Sequence, residues 1–88
     1  MTLQKNGVKK MTAREMFEEL GYTYTRRTGS SAFRYAKSNK EDELLFSIEF
    51  DTEFGTVYIH DRYGINEITM PVFKAIQQQL LELGWLLC

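Results

Sequence analysis

Eighty-eight residues, 43% of them hydrophobic and 26% charged, suit one small globular domain and argue against disorder. A chain of this size buries roughly 60–65% of its unfolded surface, so its folding margin is thin and self-association would add to it. No apolar run approaches the roughly 20 residues that span a bilayer, and a lone cysteine, Cys88, excludes an internal disulfide and a cysteine-based zinc cluster.

Residues 1–10 are polar and aperiodic, with basic side chains but no apolar segment behind them, which is unlike a secretory signal. We expect a flexible tail over 1–10, a single domain over 11–88, and a cytoplasmic protein. The net charge of −1 hides an asymmetry: residues 1–40 carry nine Lys and Arg against three acids, whereas residues 41–88 carry two against nine. Such a split fits either a basic face for nucleic acid or strands that pair with complementary charges.

Thr12-Ala13-Arg14-Glu15 has the form of a capping box, with Met11 and Met16 placed as a hydrophobic staple. Ala13, Met16, Phe17 and Leu20 then recur on one helical face, and Gly21 stands where a left-handed cap belongs. The pattern predicts a first helix over about 13–20. It is too short to persist alone and needs packing.

Residues 22–27 alternate and are rich in β-formers, and Gly29-Ser30 suits a two-residue type II′ loop. That loop sets Tyr24 opposite Tyr35 and Arg26 opposite Phe33, with a second strand over 31–38. A solvated loop at 39–43 leads to the plainest strand, 44–51, in which Leu44, Phe46, Ile48 and Phe50 alternate with Leu45, Ser47, Glu49 and Asp51. Thr52 to Gly55 connect it to 56–60, pairing Asp51 with Thr56, Phe50 with Val57 and Ile48 with Ile59. After a turn at 61–64, Ile65 to Ile68 suggest a short extended piece.

The last helix starts at Thr69 or Met70 with Pro71 in its first turn. Val72, Phe73, Ile76, Leu80 and Leu83 form its expected buried stripe, Ile68 and Phe73 its staple, and Lys74, Gln77, Gln78 and Glu82 its wet face. Gly84 ends it, with Trp85 at the hydrophobic contact of a Schellman motif. Trp85 to Cys88 are expected to fold back on the core.

The order is α-β-β-β-β-α, an α+β fold with both helices on one face of an antiparallel sheet. The opposite face is the best functional lead. By strand parity it carries Thr25, Arg27, Arg34, Ala36, Ser47, Glu49, Tyr58 and His60, a candidate surface for a protein partner or a second copy. A nucleic-acid alternative rests on Arg26, Arg27, Arg34 and Lys37 among aromatic residues, the composition of single-strand platforms. Against it stand the acidic pI of about 5.8 and the acids Glu49 and Asp51 on the same face. A third alternative, a metal-dependent enzyme, would use Glu49, Asp51 and His60. Phosphate-loop, HExxH and nucleophile-elbow motifs are missing, so no catalytic residue, metal or cofactor is assigned.

The segment Thr12 to Tyr22, the Ile68-Thr69-Met70 helix start and the Leu83-Gly84-Trp85 ending resemble small proteins encoded by prophages and mobile elements of Gram-positive bacteria. Those open with a short helix ending in Leu-Gly-Tyr and close with one ending in Leu-Gly-Trp, with strands between. The resemblance covers most of residues 11–85 in layout, through capping and packing positions. It implies host-directed binding rather than metabolism, and brings no activity or functional residue with it. The expected function is that of a non-enzymatic interaction protein.

Overall fold

Two short helices lie across one face of a four-stranded meander. The computed structural model describes residues 11–65 and 67–86, so the expected tail at 1–10, Asn66, Leu87 and Cys88 lie outside them. The elements are α1 (Ala13–Glu19), β1 (Thr23–Arg26), β2 (Ala32–Ser38), β3 (Leu44–Asp51), β4 (Thr56–Asp61) and α2 (Met70–Glu82). The strands are antiparallel in the order β1-β2-β3-β4. The expected α-β-β-β-β-α fold is therefore the one observed.

Local chemistry sets the helix ends. The Thr12 hydroxyl accepts from the Glu15 N–H at 3.1 Å, and the Thr12 N–H donates to Glu15 Oε1 at 2.9 Å, completing the capping box. Ala13 N–H, another orphan of the first turn, donates to Glu82 Oε2 at 2.8 Å. Glu82 is thus not only a wet residue of α2: it caps α1 from the neighbouring helix. Both helices close in Schellman motifs, Tyr22 N–H bonding Phe17 O and Trp85 N–H bonding Leu80 O, each at 2.9 Å. Gly21 reaches the required left-handed geometry at φ +92°.

The registers follow from matching faces. Tyr24 pairs with Tyr35 and Arg26 with Phe33. Asp51 pairs with Thr56, Phe50 with Val57 and Ile48 with Ile59. The first hairpin turn lies one residue earlier than expected. Ser30 N–H bonds Arg27 O at 3.0 Å, which places Gly29, at φ +81°, second of the two central residues. That is the positive-φ position of a type II turn, not of type II′. Ile65, Glu67 and Ile68 form no strand.

The core is Phe17, Tyr22, Phe33, Tyr35, Ile48, Phe50, Val72, Ala75 and Ile76, with Leu80, Leu83 and Trp85 packed at its margin. Trp85 thus folds back as expected, while Leu86 is exposed. The stripe of α2 differs from expectation at three residues. Phe73 is 51% exposed, and Ala75 and Gln79 are buried in its stead. Ile68 is exposed too, so the expected staple is not buried. Gln79 is inside because the Tyr35 hydroxyl donates to its Oε1 at 2.6 Å. Neither group could enter the core without the other.

Two tests follow from that bond. Tyr35→Phe leaves the Gln79 carbonyl oxygen buried and unpaired, and is expected to cost about 1–3 kcal/mol in urea denaturation. The double variant Tyr35→Phe/Gln79→Leu should recover most of this loss. Burial, with smaller contributions from Tyr24 and Glu82, pushes the Tyr35 phenol up from 10.0 to about 12. The unfolded chain therefore loses this proton first, and stability should fall as pH rises from 10 towards 12. Absorbance titration should show late tyrosine ionisation at the unfolding step, to which Tyr22, also raised by burial, contributes, and Tyr35→Phe should reduce it.

Candidate functional site

Both helices occupy one face, so among the described residues the other face of the sheet carries only its own side chains. Its cross-strand rows are Thr23–Ala36–Ser47–His60, Thr25–Arg34–Glu49–Tyr58 and Ala32–Asp51–Thr56. Seven of the eight candidate surface residues stand on these rows. Arg27, just beyond β1, joins Thr25, Arg34 and Glu49 around a shallow depression of about 250 Å³. Ser47 is the exception in accessibility: at 4% exposure its neighbours screen it from any partner. Tyr58 is 63% exposed, a large side chain open to solvent.

Arg34 and Glu49 face each other across β2 and β3, yet no ion pair joins them. A strongly coupled pair would have withdrawn both charges from use. Here the guanidinium and the carboxylate, both half-buried, remain separate groups, worth little to stability on their own.

The three residues of the metal alternative do not converge. Glu49, Asp51 and His60 sit on three different rows, and among the described residues no cluster of three such ligands forms. Asp51 has a structural task. Its Oδ1 accepts from Glu53 N–H at 2.9 Å, Phe54 N–H at 3.3 Å and the Ser31 hydroxyl at 3.3 Å. It thereby shapes the β3–β4 turn.

The basic residues of the nucleic-acid alternative are divided between faces. Arg27 and Arg34 lie at the open face. Arg26 shares the helix-side row of Phe33, and Lys37 extends over the Tyr22 ring, 5.8 Å from its centroid. No single strand can follow all four across one platform.

Sequence pattern alone does not set β4 apart from the other strands, and the structure makes it the exposed margin. It is an edge strand. On the helix side Val57 is 37% exposed, because cover by the helices runs out before β4. Its hydrogen-bond phase is also set. Arg62 N–H bonds Leu45 O at 2.9 Å, and antiparallel alternation then assigns the β3 bonds to His60 and Tyr58. Val57 and Ile59 turn their N–H and C=O groups outward, to the unpaired edge.

Asp51→Ala is expected to lower stability by about 1–2 kcal/mol through the lost turn bonds, with the denaturation midpoint as readout. Arg34→Ala and Glu49→Ala should each stay within about 0.5 kcal/mol, with no coupling in the double variant. No protein-family model, curated protein or solved structure matches the chain.

Proposed function

We propose that this domain is a non-enzymatic interaction module whose working surface is the uncovered sheet face together with β4. The observation that carries this reading is the condition of β4. It exposes Val57 on one face and Tyr58 on the other, beside an unpaired backbone edge. Native edge strands are ordinarily guarded by lysine, proline, a bulge or extreme shortness. Six residues long, Thr56–Asp61 has no lysine or proline, and the sheet's register shift lies elsewhere, at Lys37/Ser38. Among the described residues no strand pairs with this edge, whose one acid, Asp61, stands at its end, and such an edge is a liability unless a partner covers it.

The open face supplies the polar part of such a surface. Small side chains at Thr25, Ala32 and Ala36 keep it flat, and Arg34, Glu49 and His60 offer charge and hydrogen bonds around Tyr58. Apolar centres with a polar rim are the usual anatomy of protein interfaces, in which tyrosine is a favoured anchor. The layout shared with prophage and mobile-element proteins supports an accessory, host-directed role within this reading.

The test is site-specific photocrosslinking. Replacing Tyr58 with a benzophenone amino acid should give one discrete adduct, suppressed by excess unlabelled domain. The same probe at Lys40, in the 39–43 loop, should give none. Equal, non-competed labelling from both positions would contradict an interaction role for this surface.

A further inference from the structure

We infer that the partner of β4 is β4 of a second copy, joined edge to edge about a twofold axis through Tyr58. This rests on the interaction reading above and names the occupant. In an antiparallel pair with Tyr58 facing Tyr58 of the partner, Val57 of each copy stands opposite Ile59 of the other. Val57 and Ile59 are the residues whose main-chain groups already point outward. They would therefore exchange their N–H and C=O bonds directly, as a bonded antiparallel pair requires.

The side chains agree with that register. Shifts that keep the faces aligned move by two residues. One such shift sets Asp61 opposite Val57, and the other sets Gly55 opposite Ile59. Only the arrangement centred on Tyr58 puts both apolar residues against apolar residues, and it brings no like charges together: Thr56 meets His60 and Asp61 meets Gly55. A strand that is complementary to its own reverse fits a second copy better than an unrelated peptide. The contact is isologous and closes on itself, leaving no free β4 to propagate a fibre.

One further feature points to the same joint. The other sheet edge, β1, is only four residues long and carries Arg26, so it is protected where β4 is not.

The dimer should be weak and concentration-dependent, because strand pairing covers less than a standard interface. Light scattering after size exclusion, under reducing conditions, should show the mass rising from 10.3 kDa towards twice that value with concentration. Val57→Pro removes only an outward-facing N–H and suits an edge position. It should keep the wild-type circular dichroism spectrum and stay monomeric. Lys40→Ala, in the 39–43 loop away from this surface, should dimerise like wild type.

Association unaffected by a folded Val57→Pro, or abolished by Lys40→Ala, would overturn the proposed joint. A wild-type chain that stays monomeric at every concentration, yet gives the competed Tyr58 adduct, would overturn the second-copy inference alone. A monomer without that adduct would overturn the interaction reading as well.

Discussion

Tyr35 is the residue on which the packing of this domain turns. Only 2% exposed, it stacks on Phe17 of α1, with ring centroids 4.1 Å apart and planes 15° from parallel. Its edges meet Tyr24 of β1, Phe33 of β2 and Phe50 of β3. Its hydroxyl reaches Gln79 of α2. One side chain thus ties both helices to three strands. Aromatic contacts of this kind exceed their buried area by roughly 0.5–1.5 kcal/mol each, a large share of a small domain's net stability.

The position of that cluster explains why the surface is uneven. Arg14, on α1, packs its guanidinium over the Tyr24 ring at 4.4 Å, which draws α1 to the β1 side of the sheet. Glu82 then holds α2 beside α1. Cover is drawn towards β1, β2 and β3, and β4 is left at the margin with Val57 showing. The same interactions that close the core therefore leave this side chain exposed on an edge that strand order has already set. The partner we propose would give that edge a use.

Much of this was legible in the residues themselves. The strand registers could be read because a slip by one residue would turn every aromatic from the core to solvent. The helix ends could be read because capping chemistry is local: Thr12 with Glu15, and Gly21 and Gly84 with their following aromatics. Gln79 escaped because an apolar stripe counts only apolar residues. The available signal was Tyr35, whose hydroxyl needs a partner once its ring faces the core. Phe73 is ambiguous for the same reason, since apolar character alone does not decide whether a residue on the flank of a helix is buried. The hairpin turn was misread because a glycine permits positive φ at either central position, and the Arg27–Ser30 bond that decides between them is not written locally.

The candidate surface was half legible. Parity alone placed Thr25, Arg34, Glu49 and Tyr58 on one face, but it gave no strand order, so the edge at β4 and the outward phase of Val57 and Ile59 stayed hidden. Edge position is a tertiary property that neighbouring pairings do not determine. The account therefore depends on β4 being the uncovered strand, in this hydrogen-bond phase, with a second copy against it. Residue-resolved amide hydrogen exchange at low and high protein concentration tests all three together. The Tyr58 and His60 amides should be protected at both concentrations. Those of Val57 and Ile59 should exchange freely when dilute and slow down as concentration rises. Protection of Val57 and Ile59 that does not change with concentration would contradict the account, as would free exchange at Tyr58 and His60.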